Sequence, residues 1–153
     1  KMEVVIIRPP LIYGSGVKGN FAQLMKIIQK GIPLPFGSIN NKRSLIGLDN
    51  LIDLIITCMG HPNAAGQILL ASDGQDLSTT ELLNCLAQAL NMRPRLIKIS
   101  QKLLINVLKL FGKQDVSQRL FGSLQVDITR TRELLDWSPP YSVEEGMNKA
   151  FSK

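Results

Sequence analysis

The residues with the most evident chemical potential are the glycines of Gly14-x-Gly16-x-x-Gly19, which stand between a predicted strand and a predicted helix. Glycines at this spacing can let a backbone approach the pyrophosphate of a dinucleotide. Two prolines and three further residues, however, separate the pattern from the predicted strand at 3–8. In addition, no Asp or Glu stands roughly 20 residues beyond it to bind a ribose. We therefore reject a dinucleotide fingerprint at this position.

No other group of side chains has the spacing of a catalytic or metal site. His61, the only histidine, stands in a Gly-His-Pro sequence typical of a turn and has no sequence partner for a nucleophilic triad. Cys58 and Cys85 fit apolar helical faces rather than a metal-binding pattern. Glu144 and Glu145 match a helix start, where acidic side chains are favoured. We predict no catalytic residue and no metal site in this chain.

Length and composition indicate one globular unit. The 153 residues are 44% hydrophobic and 20% charged, which excludes a disordered or collagen-like chain. No apolar run approaches the roughly 20 residues that a membrane-spanning helix needs, and no secretion signal is recognisable. We expect a soluble protein of the reducing cytoplasm.

Hydrophobic periodicity predicts alternating strands and helices, and hence an α/β fold. Strands are predicted at 3–8, 43–48, 67–71 and 95–99, and helices after Asn20, after Asp49 as N-cap, from Ser78, over 102–111 and 129–135, and from Ser142. Ser78-Thr-Thr-Glu81 and Ser142-Val-Glu-Glu145 are capping boxes, in which serine and glutamate satisfy backbone donors at a helix start. A doubly wound domain usually begins with a strand that leads directly into a phosphate-binding turn. Because that beginning is missing, we expect the chain to be part of a longer polypeptide.

Five sequence blocks follow one another in a characteristic order along nearly the whole chain. They are Arg8-Pro-Pro-Leu-Ile-Tyr-Gly14, Asn20-Phe21, Leu34-Pro-Phe-Gly37, Arg43-Ser-Leu-Ile-Gly-Leu-Asp49, and a last block from Val126-Asp127 through Leu135-Asp-Trp-Ser-Pro139 to Glu144-Glu-Gly146. In this order they resemble the carboxyl-terminal half of an extended short-chain dehydrogenase/reductase. Within that superfamily the chain is similar to the nucleoside-diphosphate-sugar epimerases and 4-dehydrogenases or reductases, the UDP-glucose 4-epimerase-like group.

The resemblance implies a fold and a division of labour. Residues 1–153 would hold the last strands and helices of a Rossmann-type doubly wound sheet together with a small α/β substrate-binding lobe. The amino-terminal half of the larger enzyme would bind NAD or NADP and carry a Tyr-x-x-x-Lys pair. Neither Tyr13 nor Tyr141 has a lysine four residues later, so this chain alone is expected to be inactive. The first strand and the helix after Asp49 should then expose apolar surface, and the enzyme should be a homodimer without a membrane span.

The resemblance also assigns substrate-binding roles. It places Arg43 at the pyrophosphate of a nucleotide sugar, Asn20 at a phosphate or the sugar, Leu34 and Phe36 along the uracil ring, and Arg119 near a second pyrophosphate-binding position. A guanidinium can bind phosphate oxygens bidentately, and a helix N-terminus favours anions. The alternatives are a solvated side chain for Arg43, a simple helix cap for Asn20, and a turn packed in the core for Leu34 and Phe36.

One segment corresponds to the cofactor side of the family. Pro9, Pro10 and Leu11 match the residues that pack beside the nicotinamide, where many epimerases carry Tyr-Phe-Asn. Because the asparagine is lost here, a dehydrogenase or reductase is nearly as good an interpretation as a 4-epimerase.

Positive charge is concentrated in one part of the chain. The formal net charge is +6, and residues 92–132 contain nine Lys or Arg against two Asp. Such a surplus attracts phosphate in a nucleic acid, an acidic membrane surface or a nucleotide. A basic nucleic-acid-binding module is therefore a second hypothesis, although Phe111 and Phe121 are the only aromatic residues there and no base-stacking platform is expected. A non-catalytic dehydrogenase-like regulator is the third. We favour a nucleotide-sugar partner and no nucleic acid.

Overall fold

Five short strands form two separate sheets in the computed structural model, which describes residues 3–16, 20–112, 118 and 121–151. In the first sheet, β1 (Ile6–Arg8) runs parallel to β4 (Ile68–Leu70). In the second sheet, β3 (Arg43–Gly47) lies between β2 (Leu11–Tyr13), which is parallel to it, and β5 (Asp76–Leu77), which is antiparallel. Between β1 and β2 the chain passes from one sheet to the other at Pro9 and Pro10, which cannot donate ladder hydrogen bonds.

Six α-helices are assigned within the described part of the chain. They are α1 (Asn20–Gln29), α2 (Leu48–Gly60), α3 (Thr79–Ala89), α4 (Gln101–Leu110), α5 (Thr129–Leu135) and α6 (Val143–Phe151). The predicted α/β fold is confirmed. Both capping boxes are present: Ser78 N–H donates to Glu81 at 2.7 Å and Glu81 N–H donates to Ser78 Oγ at 3.1 Å. The corresponding bonds between Ser142 and Glu145 measure 2.8 and 3.3 Å.

Two clusters of buried side chains attach the helices to the sheets. The first core joins β2 and β3 to α1, α3 and α6, and includes Tyr13, Phe21, Leu45, Leu83, Leu86, Val143 and Met147. The second core joins β3 and β4 to α2 and α5, and includes Ile46, Leu51, Leu54, Cys58, Leu69, Leu135 and Trp137. Because successive side chains of a strand face opposite sides, β3 contributes Leu45 to one core and Ile46 to the other.

Cys58, Cys85 and His61 lie in the predicted surroundings, two helical faces and a turn, and Trp137 is buried in a core. Cys58 is buried in the second core, and the half-buried Cys85 packs against the first. His61 precedes a short 3-10 helix, and its Nδ1 accepts a backbone N–H at 3.3 Å. Trp137 is buried, and its indole N–H donates to Asp53 at 2.8 Å.

Two predicted details are wrong. Residues 95–99 do not form a strand, because Leu96 makes only an isolated bridge to Leu34 and the neighbouring side chains are largely exposed. Asp49 is not an N-cap: the N-cap is Gly47, so α2 begins two residues earlier than predicted, at Leu48, without a side-chain cap. Asp49 lies in the first helical turn and forms an ion pair with Lys149 at 2.7 Å.

The first sheet and α2 expose apolar side chains, as expected from the sequence. On α2 the exposed residues have helical spacing and form one stripe, with Met59 83% exposed. We call this the α2 stripe; it consists of Ile52, Ile55, Ile56 and Met59. Val4, Ile6, Ile68 and Leu70 are exposed on or beside β1 and β4. In the described ranges no helix is both long and apolar enough to cross a membrane.

Candidate functional site

Arg43 is the first residue of β3, and it is half-buried. Its backbone pairs with Leu77 of β5 and makes a bridge to Leu124. Because side chains alternate along a strand, Arg43 shares a face with Leu45, which lies in the first core. A fully solvated arginine, the alternative left open by the sequence, does not fit this position.

Residues 121–126 run beside Arg43. The Ser44 N–H donates to the carbonyl of Leu124, and the Leu124 N–H donates to the carbonyl of Lys42, both at 2.8 Å. These bonds hold the segment in a parallel bridge along the start of β3. Arg119 itself, the other arginine predicted at the pyrophosphate, lies outside the described residues, two positions before this segment.

The predicted uracil-binding segment is fixed by backbone hydrogen bonds. The Leu34 N–H donates to the carbonyl of Arg95, and the Ile97 N–H donates to the carbonyl of Leu34, each at 2.8 Å. The Phe36 carbonyl accepts a bond of 2.6 Å from the hydroxyl of Thr80. The backbone of Leu34 is thus engaged within the protein, which leaves the half-buried ring of Phe36 as the group best suited to an apolar wall.

Two of the predicted substrate-binding residues, Phe36 and Arg43, are connected through the same segment, residues 121–126. The ring of Phe36 meets that of Phe121 edge-on, with centroids 6.3 Å apart, and Phe121 begins the segment that runs beside Arg43. We call Arg43, Phe36 and residues 121–126 the Arg43 cluster. Asn20 is itself the first residue of α1, so the helix begins one residue earlier than predicted and Asn20 is not its N-cap; the side chain of Asn20 is outside the described part of the chain.

Pro9, Pro10 and Leu11 lie where the chain leaves the first sheet. Pro9 is exposed directly after the carboxyl end of β1, and Pro10 is half-buried. Leu11 pairs with Leu45 of β3 and packs against the first core. In open α/β sheets, ligands bind outside the carboxyl ends of the parallel strands. Pro9 and Pro10 are therefore at a suitable place for an apolar wall beside a flat ring.

The glycine pattern requires a correction. Its predicted separation from a strand is wrong, because β2 ends at Tyr13, directly before Gly14. A different observation nevertheless argues against phosphate binding at Gly14. A Cβ on Gly14 would lie 2.7 Å from Cβ of Leu48, so the space above this glycine is filled by the start of α2. The close approach that Gly14 permits is to Leu48 and not to a pyrophosphate.

A buried carboxylate that the sequence did not indicate joins four elements. Asp73 accepts hydrogen bonds from the Tyr13 hydroxyl at 2.5 Å, from the Gly47 N–H at 3.0 Å and from the Asn50 amide at 2.7 Å. Asn50 also donates to the carbonyl of Tyr141 at 2.8 Å. This group, which we call the Asp73 network, ties β2, the end of β3, α2 and the segment before α6 together.

Burial determines the protonation behaviour of the Asp73 network. Desolvation raises the pKa of Tyr13 far above its ordinary value, and the hydrogen bond to Asp73 and its charge raise it further. Desolvation also raises the pKa of Asp73, although the bonds from Asn50, Tyr13 and Gly47 act in the opposite direction. A tyrosine with such a raised pKa stays protonated near neutral pH and donates its hydrogen bond to Asp73.

A cavity of about 140 Å³ lies at the carboxyl ends of β2 and β3. Lys149 at its wall pairs with Asp49 and lies 4.3 Å from the centre of the Tyr141 ring. The bond to Asp49, more than that to Tyr141, raises the pKa of Lys149. The ammonium is thus held by the protein's own side chains. Within the described ranges no group of three or more His, Cys, Asp or Glu could hold a metal ion.

Comparisons of the fold and of the sequence with known proteins indicate the class of protein that this chain resembles. No protein-family model matches the chain, but solved structures of epimerases share its fold. An epimerase from Methanothermobacter thermautotrophicus superposes with a TM-score of 0.74 at 16% identity, over 97% of this chain and 42% of that one. The UDP-glucuronic acid 4-epimerase of Bacillus cereus, solved with NAD, gives 0.70 at 18% identity, over 98% and 43%. The Rossmann-type α/β fold class is confirmed.

A curated relative makes the resemblance more specific. The UDP-glucose 4-epimerase of Vibrio cholerae is 53% identical over 149 residues, which cover 97% of this chain and 45% of that protein. The resemblance to nucleoside-diphosphate-sugar epimerases is thereby confirmed. The chain spans somewhat less than half the length of the curated relatives it matches, which fits a carboxyl-terminal half.

Proposed function

We propose that this chain is the nucleotide-sugar-binding, carboxyl-terminal part of a longer NAD(P)-dependent nucleotide-sugar 4-epimerase of the cytoplasm. The observation that carries the proposal is the 53% identity to a UDP-glucose 4-epimerase over 97% of the chain. The exposed α2 stripe and the exposed side chains of the first sheet support it, because a parallel sheet is normally covered on both faces. In this proposal the rest of the polypeptide covers them.

The Arg43 cluster supports a nucleotide-sugar site. A guanidinium on a half-buried strand can hold a pyrophosphate bidentately and keeps its charge at any physiological pH. Phe36, with its ring against Phe121, provides an apolar wall of the kind that lines ligand pockets. Binding energy at these two points, together with Asn20 and Arg119, would orient the sugar for reaction.

The cofactor would be held mainly outside this chain. When bound, NAD(P) supplies the hydride acceptor. The residues here fit only a wall beside its ring, because Pro9 and Pro10 stand at the carboxyl end of β1, whereas Leu48 fills the space above Gly14. We therefore assign the cofactor pyrophosphate and the Tyr-x-x-x-Lys pair to the amino-terminal half, and we expect the complete enzyme to be a homodimer.

The test uses the full-length polypeptide and the interconversion of UDP-galactose and UDP-glucose. Arg43→Gln should lower kcat/KM by about 10- to 100-fold, the loss expected for a hydrogen-bonded pair with a charged group. Lys42→Gln is the matched control, because it removes the same charge from the exposed neighbouring side chain. It should change kcat/KM less than twofold.

Three outcomes would contradict the proposal. Equal effects of the two substitutions would remove Arg43 from the substrate site. A gene that encodes no glycine-rich cofactor turn and no Tyr-x-x-x-Lys upstream would exclude the oxidoreductase mechanism and favour a dehydrogenase-like regulator. Net oxidation or reduction of the nucleotide sugar in place of epimerisation would identify a dehydrogenase or reductase.

A further inference from the structure

Helix α4 is amphipathic, yet none of its ten residues is buried. Its exposed apolar side chains are Leu103, Val107 and Leu110, and they continue into Phe111 after the helix. This spacing places all four on one stripe of the helix surface. Leu110 is 85% exposed and Phe111 71% exposed, so the stripe is available for contact.

The surroundings of this stripe are cationic. Residues 92–112 contain five Lys or Arg and no Asp or Glu. All five are exposed; they are Arg93, Arg95, Lys98, Lys102 and Lys109. By helical spacing, Lys102 and Lys109 lie together on the α4 face next to the apolar stripe. Lys102, Lys109 and the apolar stripe thus lie on the exposed side of one helix, and the other three cations precede it closely in sequence; we call these residues the α4 surface.

We propose that the α4 surface docks on an anionic lipid bilayer, with α4 lying in the plane of the membrane. A short amphipathic helix with lysines on its polar face and Leu or Phe on the other matches the boundary between headgroups and acyl chains. Lipid phosphates would meet the five cations, and the acyl boundary would receive Leu103, Val107, Leu110 and Phe111. The inference is independent of the proposed catalytic function.

Two other occupants fit the surface less well. A nucleic acid would engage the cations but leave four apolar side chains in water, since stacking needs aromatic rings along the groove. The core of a protein interface is depleted in lysine, and the five exposed cations have no acidic neighbour within residues 92–112. The α2 stripe provides the contrast, because α2 contains two Asp and no Lys or Arg. Anionic lipid would repel α2 and attract α4.

The experiment measures co-sedimentation of the full-length protein with vesicles of phosphatidylcholine, alone or mixed with phosphatidylglycerol. Binding is expected only to the mixed vesicles and should weaken with added salt. Each lysine near an anionic membrane contributes about fivefold to the partition coefficient, so the double variant Lys102→Gln, Lys109→Gln should lose about 25-fold. Leu110→Ser with Phe111→Ser should abolish binding. Lys26→Gln with Lys30→Gln removes the same charge from exposed side chains in and directly after α1; it is the matched control and should leave binding nearly unchanged.

Several results would overturn the proposal. One is equal binding to neutral and anionic vesicles, or the same loss from the Lys26, Lys30 variant as from the Lys102, Lys109 variant. Another is a monomer–dimer equilibrium that the α4 variants shift in the absence of vesicle binding, because a second copy would then occupy the surface. Binding to single-stranded RNA that needs the lysines but not Leu110 and Phe111, without vesicle binding, would indicate a nucleic-acid surface.

Discussion

Replacing Gly146 with alanine tests the packing of α6 against the buried hydroxyl of Tyr13. A Cβ at residue 146 would lie 2.6 Å from the Tyr13 hydroxyl oxygen and 3.3 Å from its ring. The distance to the hydroxyl oxygen is shorter than real Cβ contacts, whereas the distance to the ring could be accommodated by a small shift of the ring. The hydroxyl cannot move freely, because it donates to Asp73 at 2.5 Å. The effect of Gly146→Ala on stability is therefore expected to depend on the hydroxyl oxygen of Tyr13.

Two opposing effects set the expected magnitude. Alanine is better than glycine within a helix by about 1 kcal/mol, whereas an extra methyl group in a packed interior costs about 1–3 kcal/mol. Gly146→Ala in the wild-type background should therefore lower the free energy of unfolding by about 0–2 kcal/mol. Tyr13→Phe alone should cost about 1–3 kcal/mol, because the buried carboxylate of Asp73 loses a donor. In the Tyr13→Phe background, Gly146→Ala should instead be neutral or stabilising by up to about 1 kcal/mol.

The assay is urea unfolding of the four proteins in this double-mutant cycle, followed through the fluorescence of Trp137, the single tryptophan. Trp137 is buried in the second core, so its emission reports unfolding without contacting either substituted residue. We expect a coupling energy of about 1–3 kcal/mol. Gly60→Ala, at a helix end with open space around it, should show no coupling to Tyr13→Phe. If the two substitutions add within about 0.5 kcal/mol, the contact does not constrain α6 and the reasoning fails.

Three further outcomes are expected. Because burial raises the pKa of Asp73, its contribution to the free energy of unfolding should fall as pH rises from about 4 to the raised value, and then stay constant. The variant Asp73→Asn should lack this fall. The difference in the free energy of unfolding between the variant and the wild type should therefore change with pH, which urea titrations at several pH values would measure. Ser78→Ala breaks a capping box and should cost about 1 kcal/mol, lowering Tm by about 2–4 °C; Ser100→Ala, whose cap bond is 3.4 Å and exposed, should have a smaller effect. Residues 1–153 alone should self-associate in analytical ultracentrifugation, and a monodisperse monomer with a cooperative melt above about 60 °C would contradict the idea that missing chain covers the exposed apolar faces.

The helix starts at Ser78 and Ser142 were predictable because a capping box lies within four residues of sequence. The error at 95–99 has the opposite cause. The composition of residues 95–99 is typical of a strand, but a strand also needs a partner strand elsewhere in the chain. Only Leu96 pairs, in the isolated bridge to Leu34. The two-residue strand β5 was missed because so short a segment has no periodicity of its own.

The candidate site was predictable only in part. Arg43 and Phe36 were predicted from a resemblance in residue order. The segment that contacts both of them, residues 121–126, lies about eighty positions later in the chain and was not predicted. The Asp73 network was not predicted at all. Asp73 stands in Ser72-Asp-Gly74, a sequence typical of an exposed turn, and only the fold shows that Tyr13, Gly47 and Asn50 surround it.

The crossing at Pro9 and Pro10 has a mechanical consequence. Each proline ring fixes its backbone φ near −65°, so rotation about φ at these two residues cannot contribute to a hinge. The connection between the two sheets is thus stiffer than an ordinary linker. The first sheet is on the proposed cofactor side, and the second sheet carries Arg43. We therefore expect the two sheets to keep their relative orientation, so that substrate entry and release depend on movements of the loops around Arg43.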